Sequence, residues 1–576
     1  NLIRKEVYFI FYNKKKVLFS IIFLLLSSII SIKLFYPIFI AEEIIIPYGI
    51  NPFDICSKNP LLWYYIKIIY IISFIISNLI FSNFLFYRFF KYFKIFKNPP
   101  KKNNIKNNFN FNNLNLLIGE NLNKNKIYIP ESGLYQNFLI TGTIGSGKTS
   151  SAMYPFTKQF LKYNKNNKEK IGILILDVKG NYYSQVKKYV NKYNLNNDLI
   201  IIQLNSNIYY NPLHKPHLKP QILANRIKTI LTLFSENNSE SYWLDKVEQI
   251  LTECIKICRL YNNGYVTFLE LHKLVTNEDY FNEKIKIIKE LFISSKLNKN
   301  EIYELNASLD FFQKEFFNLD SRTKGILISE ITRITNTFIS DYDVLNTFCS
   351  PKEKLSFDGF SSVINEGKIV VLNMNIAEYS LLSKIIAAYL KLDFQTEVLQ
   401  NLSNNKSKIS VFICDEYDKY CTKTDGDFFS VSREAKCINI VSTQSYSSLK
   451  NALKDDASVK VIIQNLINKI WFRTDDLFTI EEAQKQLGKE EKVKISRSIS
   501  ESAKETKFSY ITNTLNSQGS NISESYNSYK QNDFIFETNF FTQNLETFTA
   551  LTFLSDGNKI YKPSKIKLYP YFKERD

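Results

Sequence analysis

Cysteine is scarce in this 576-residue chain, with 7 in all and none in a Cys-x-x-Cys pair. That excludes a disulfide framework and a zinc ribbon, and the bulk of the chain reads as reduced and cytoplasmic. Cys254 and Cys258 share one helix face and His272 follows not far on, but a metal site wants a fourth ligand, so these residues read as core. His214 and His217 stand in a proline-flanked loop and read as structural. Arginine is thin too, occurring at ten positions against a Lys+Arg total of 74. The formal net charge of +18 is therefore almost all lysine, in a chain heavy in Asn, Ile, Phe and Tyr, the pattern an A+T-rich coding sequence gives. Charge alone is thus a weak sign of a nucleic-acid partner. An arginine beside a catalytic motif says more, because its fixed fork of donors is not interchangeable with lysine.

Two long apolar runs mark the N-terminal end. Val17 to Ile40 is interrupted mainly by Lys33, and Leu61 to Phe90 carries Lys67 near its start. Each is long enough to cross a bilayer. Lys14, Lys15 and Lys16 precede the first, and Arg88, Lys91, Lys94, Lys97, Lys101 and Lys102 end or follow the second. The positive-inside bias predicts both chain ends in the cytoplasm and Ala41 to Pro60 outside. No small-residue cleavage site closes the first run, which speaks against a removed signal peptide. The chain begins at Asn1 in place of Met, so a few residues are expected to precede it.

Residues 98–115 are polar, open on Pro99-Pro100 and are rich in Asn, and they read as a linker after a membrane anchor over 1–97. Beyond it, short apolar runs alternate with helical stretches: Phe138 to Thr141, Ile171 to Asp177, Leu199 to Leu204, Lys368 to Asn373, Ile409 to Asp415, Ile438 to Thr443 and Lys469 to Phe472. The alternation predicts an α/β fold with a doubly wound parallel sheet, the RecA-like architecture of P-loop motors. Its two parts are expected over 116–240 and 348–576. Between them 241–347 shows no convincing strand and apolar residues at helical spacing, so an inserted all-α domain is predicted. The Ser- and Asn-rich segment 496–532 predicts a mobile loop, and Phe548 to Leu554 a final strand.

The chemistry is concentrated in two motifs. Phe138 to Thr141 runs into Gly142, Thr143, Ile144, Gly145, Ser146, Gly147, Lys148, Thr149 and Ser150, the full P-loop pattern in its strand-then-helix setting. Such a loop cradles phosphates with backbone N–H groups, Lys148 reaches the terminal phosphates and the Thr149 hydroxyl ligates Mg²⁺. ATP and Mg²⁺ are the expected cofactors. Ile409 to Cys414 ends in Asp415 and Glu416, a Walker B element. Asp415 is expected in the Mg²⁺ shell, and Glu416 to polarise the attacking water. Gln444 closes the next strand and suits a sensor of nucleotide state, while Arg433 precedes that strand and suits an arginine acting on a neighbouring subunit's nucleotide.

In this order of features the chain resembles the type IV secretion coupling proteins of the TraG/TraD kind, which are membrane-anchored ATPases of conjugation. The resemblance is carried by the two spans, Gly142 to Thr149, Asp177-Val-Lys-Gly180, Tyr210-Asn-Pro-Leu213, Tyr242-Trp243, Asp415-Glu416, Ser432-Arg433 and Ser442-Thr-Gln444. Asn181 stands where an acidic residue is usual, and Lys436-Cys437 replaces an aromatic-glycine pair. The resemblance implies a homo-hexameric ring at the bacterial inner membrane that moves single-stranded DNA with its attached relaxase toward the secretion channel. A coupling protein for protein effectors would share these sites. An FtsK-like double-stranded DNA translocase would carry more spans and a winged-helix reader, and an ABC transporter an LSGGQ-like signature. A membrane scaffold that binds nucleotide without cleaving it has no need of Glu416.

Overall fold

In the computed structural model the described residues run from 114 to 573, apart from 178, 235–240, 294–297, 404–406, 503–506, 510–513 and 517–520, with a few isolated positions before residue 74. The chain divides into two compact units, Asn1–Asn110 and Phe111–Asp576, and the second holds the sheet and both nucleotide motifs. The two expected spans fall, but for those isolated positions, outside the described residues. No helix among the described residues is long and apolar enough to cross a membrane.

The centre is one sheet of 11 strands in the order β2-β1-β15-β14-β9-β3-β8-β7-β4-β6-β5. Its parallel block comprises β9 (Asn468–Trp471), β3 (Phe138–Thr141), β8 (Cys437–Thr443), β7 (Ser410–Cys414), β4 (Gly172–Leu176), β6 (Ile369–Leu372) and β5 (Leu199–Ile202). These strands are rich in Ile, Leu and Val, with polar residues mostly in β8 and β9, because helices cover both faces. Alternate residues enter different cores. Ile173 and Ile175 pack with Phe156, Phe160 and Val186, while Leu174 and Leu176 pack with Ile385 and Ile386. Each such side chain, fully buried, is worth about 1.5–3 kcal/mol.

The sheet also grows beyond the expected parallel block. β14 (Thr549–Phe553), β15 (Ser564–Lys567), β1 (Asn115–Asn121) and β2 (Lys126–Pro130) add an antiparallel extension on the β9 side. β1 thus begins at the last residue of the segment read as a linker.

Between β5 and β6 the described chain is helical from Pro220–Phe234 onward, which begins before Ser241. Helices Ser241–Tyr261, Phe268–Thr276 and Ser321–Ile339 are the centre of this part, with Phe268 and Phe338 stacked at 4.0 Å between ring centroids. Cys254 and Cys258 are wholly buried there.

The segment 496–532, read as a mobile loop, takes another form. β10 (Lys489–Ser502) and β13 (Asn521–Phe534) pair antiparallel along their whole length, with β11 (Lys507–Ser509) and β12 (Thr514–Asn516) beyond them. One face carries Val493, Ile495 and Tyr526, but all three are exposed, so the short alternation in the sequence marks no buried face. Backbone pairing and cross-strand contacts such as Lys494 to Asp533 at 2.6 Å and Lys530 to Glu491 at 3.1 Å hold it.

The insert is tied to the sheet by buried charge. Asp393, on helix Ile376–Ser403, accepts from Arg226 at 2.9 Å and from the Tyr210 hydroxyl at 2.7 Å, and pairs with Lys215 at 2.9 Å. Burial alone would raise its carboxyl, but the two cations hold it below the ordinary carboxylate range. Replacing Asp393 by Ala leaves two buried cations without their counter-charge, so a loss of about 3–5 kcal/mol is expected. Asp245→Ala, which breaks an exposed pair with Lys228, is expected to cost at most about 1 kcal/mol. Denaturant midpoints of the two variants measure the contrast, and equal midpoints would refute it.

Candidate active site

β3 ends where the loop begins, and the loop is locked from both sides. The Gly142 N–H donates to the Gln444 carbonyl at 3.2 Å and the Thr143 N–H to the Arg473 carbonyl at 2.9 Å. Gly147 has φ +103, where an L side chain is strained, and a Cβ there would come within 2.6 Å of the Phe548 ring. A helical run then follows at once through Thr149–Met153 and Tyr154–Asn166, placing its N-terminal end at the loop.

Because β8 lies between β3 and β7, the ends of the two motifs face each other across one strand. The Thr149 hydroxyl donates to Asp415 Oδ2 at 2.7 Å, and the Ser442 hydroxyl at the end of β8 donates to Asp415 Oδ1. Lys148 is buried and donates to the carbonyls of Gly142 at 2.5 Å and Thr143 at 3.3 Å. Burial pulls its amine below the usual lysine range, against the attraction of Asp415 and Glu416.

Glu416 adopts φ +51, in the left-handed region. Its carboxylate accepts from Lys179 Nζ at 2.8 Å and from the Gln444 amide at 3.3 Å. Burial would raise the Glu416 carboxyl, yet the hydrogen bond and charge of Lys179, with help from Lys148 and Gln444, keep it below the usual range. Lys179 in turn is raised: burial lowers it, but Glu416 outweighs that. The Lys179 turn itself is shaped by Asp177, which accepts the backbone N–H groups of Lys179, Asn181 and Tyr182 and so opens helix Tyr182–Tyr193.

Of the expected site residues, Lys148, Thr149, Asp415, Glu416 and Gln444 come together with the loop Gly142 to Ser150. Arg433 does not join them. It is exposed in the turn before β8, at the opposite end of that strand from Thr443, which puts it roughly 20 Å or more away. Lys179 and Ser442 do join the site, although the sequence gives neither a role. Both stand inside recognisable motifs, but only the neighbouring of β4, β7 and β8 shows where they reach.

The residues fit a nucleotide with a divalent cation. Gly142, Gly145 and Gly147 all take the positive φ that a phosphate-cradling turn of backbone N–H groups uses, the Lys148 amine sits on loop carbonyls, and the Thr149 hydroxyl with the Asp415 carboxylate forms a hard oxygen pair of the kind Mg²⁺ takes.

The Glu416 sign is definite. A depressed carboxyl contributes stability that is present above its unfolded value and lost as pH falls through its folded value, so the ionised form persists into mildly acid solution. Lys179→Ala removes the chief depressing group. The acid limb of its turnover profile is expected to lie at higher pH than that of the native chain, and coincident limbs would contradict the assignment.

Residues 410–535 match the family model described as the TraM recognition site of TraD and TraG. No curated protein matches the chain by sequence. Among solved structures, the bacterial conjugative coupling protein TrwBdeltaN70 in its unbound monoclinic form is 13% identical, with 77% of this chain and 87% of that one covered and a TM-score of 0.52. The plasmid coupling protein TrwB with a non-hydrolysable GTP analogue is 13% identical over the same shares at 0.51, and TrwB with ADP and Mg²⁺ is 12% identical over the same shares at 0.51. The chain thus resembles the TraG/TraD-type coupling proteins in its C-terminal sequence and shares the mixed α/β fold of TrwB.

Proposed function

We propose that this chain, similar to the TraG/TraD-type coupling proteins, is a membrane-anchored ATPase that recruits single-stranded DNA with its relaxase and moves it into a type IV secretion channel. The observation that carries the ATPase reading is the joint placement of Lys148, Thr149, Asp415 and Glu416 at one end of the parallel block. The TrwB complexes with a GTP analogue and with ADP and Mg²⁺ support nucleotide binding on this fold. The match of 410–535 to a TraM recognition region supports a relaxosome-type partner, and the basic balance agrees with DNA.

In this reading the loop amides and Lys148 hold the triphosphate. Thr149 and Asp415 would hold Mg²⁺, which supplies Lewis-acid neutralisation of phosphate charge. Glu416 accepts a hydrogen bond from the attacking water as it adds to the γ-phosphorus and the bond to the ADP oxygen breaks. Gln444, bonded to Glu416, links that carboxylate to the end of β8 and so to the sheet. Arg433 serves a neighbour's nucleotide across a homo-hexameric ring at the inner membrane, with both spans in the bilayer and the bulk of the chain cytoplasmic. Its exposure, and its distance from its own site, support action in trans.

ATP turnover is expected to rise with single-stranded DNA and to lose that stimulation as salt is raised. No stimulation at any salt would sink the DNA reading while leaving the ATPase intact. Lys148→Ala is expected to abolish nucleotide binding or turnover. Glu416→Gln is expected to keep ATP bound while turnover drops by about 10²–10⁴-fold. Equal losses of affinity and turnover in Glu416→Gln would reverse the roles given to the two acids.

For Arg433→Ala a fall of about 10³–10⁵-fold is expected, the range for an arginine supplied in trans. Mixing that variant with Lys148→Ala subunits is expected to restore part of the turnover, since each supplies what the other lacks. Mixed rings that form yet stay inactive would reduce Arg433 to a structural role.

A further inference from the structure

We infer that the purine base of the bound nucleotide stacks on an aromatic shelf built by the C-terminal tail beside the P-loop, with Phe572 as its exposed face. The inference rests on the nucleotide reading above and deepens it. The loop has two sides. Lys179, Glu416 and Gln444 gather on the side of β8, β7 and β4, which makes that the end for the terminal phosphate. A triphosphate held by the loop must then send its sugar and base the other way, toward β9 and β14.

That is where the chain folds back. The Phe548 N–H donates to the Ser146 carbonyl at 3.2 Å and the Tyr571 N–H to the Ser150 carbonyl at 2.9 Å, so both aromatic positions are bonded to the phosphate loop and its first helical turn. Phe548 takes φ +65, a left-handed conformation that a bulky side chain rarely adopts. It is held there from both sides, since its carbonyl accepts from the Leu568 N–H at 2.9 Å. The result turns its ring onto Gly147, where a Cβ would lie 2.6 Å from ring carbon.

On that base the tail builds outward. Phe572 packs edge-on to Phe548 at 5.8 Å and to Tyr571 at 5.4 Å between centroids, and Tyr571 packs edge-on to Tyr154 at 5.3 Å. Lys573 Nζ lies 5.8 Å from the Phe548 ring centroid. Yet Phe572 remains 57% exposed. Phe548, Tyr571 and Tyr154 fix the shelf, Phe572 is its most exposed ring beside a partly exposed Tyr571, and the shelf is bonded to the phosphate loop. An exposed ring offers a π-face and no hydrogen-bonding edge, so adenine and guanine are received alike.

The test compares ATP, GTP and inorganic tripolyphosphate, each with Mg²⁺, binding to the full chain by calorimetry. The native chain is expected to bind ATP and GTP more tightly than tripolyphosphate. Phe572→Ala is expected to weaken ATP and GTP alike by roughly tenfold, as a lost base-stacking partner does, and to leave tripolyphosphate unchanged. Phe572→Trp, which keeps a π-face, is expected to retain native affinity. Equal affinity of the native chain for ATP and tripolyphosphate, or an equal fall for all three ligands in Phe572→Ala, would overturn the shelf: in the first case the base contributes nothing, and in the second the tail only props up the loop. A native chain that binds none of the three would remove the nucleotide reading itself.

Discussion

The site depends on one carboxylate. Asp415 directly follows β7, and it accepts from Thr149 after β3, from Ser442 at the end of β8 and from the backbone N–H of Glu416. Its own N–H donates to the Leu176 carbonyl at the end of β4 at 3.0 Å. Four neighbouring strands therefore meet at a single residue, and each contact fixes the position of a different working group. The Thr149 bond sets the first helical turn after the loop. The Glu416 bond helps hold that residue in its left-handed turn, and only there does its carboxylate meet both Lys179 and Gln444.

The same economy extends into helix Ile376–Ser403, which has no solvent stripe because both its faces are packed. Two residues before Asp393, Lys391 is fully buried and donates to both oxygens of Asp425 at 2.8 and 2.7 Å and to the Tyr420 carbonyl at 2.7 Å. Asp425 also accepts from Tyr417, Gln395 and Thr422, and although burial alone would raise its carboxyl, Lys391 holds it below the ordinary range. The Lys391 cluster thus grips the chain that follows Glu416. The Asp393 cluster grips the segment around Tyr210 and helix Pro220–Phe234. One helix carries both clusters, so the turn after Glu416 and the helical insert are bonded to the same element by buried charges that have no solvent alternative.

Legibility in the sequence depends on which signals are local. The P-loop and the apolar strand before Asp415 are contiguous strings, and both stand where the sequence puts them. The helical spacing over 241–347 is equally local. Lys179 and Ser442 are opaque in sequence because their roles depend on strand order, which places β4 and β8 beside β7 through crossovers of very different length. Phe548 reads only as the start of a strand, since nothing in a Glu-Thr-Phe-Thr string announces a positive φ. The ribbon of β10 and β13 is invisible for the opposite reason. A strand shows itself by the face it buries, and Lys494, Arg497, Tyr526 and Tyr529 bury none. Arg433 lies close to Gln444 along the chain, but the seven residues of β8 carry it to the far end of the strand.

Charge decides what else the site requires. Asp177, Asp415, Glu416 and Asp418 are all buried around the loop, against Lys148, Lys179 and Lys419, the last paired with Asp418 at 2.7 Å. Such a set opposes a triphosphate, which is itself an anion. Lys148 is bonded to the carbonyls of Gly142 and Thr143 and Lys179 to Glu416, so both cations already have partners within the site. A divalent cation entering with the nucleotide at the Thr149 hydroxyl and the Asp415 carboxylate would offset that repulsion. In the proposed reading the acids would then be the reason the nucleotide is taken with its metal, since the cation would stand between two sets of anionic oxygens.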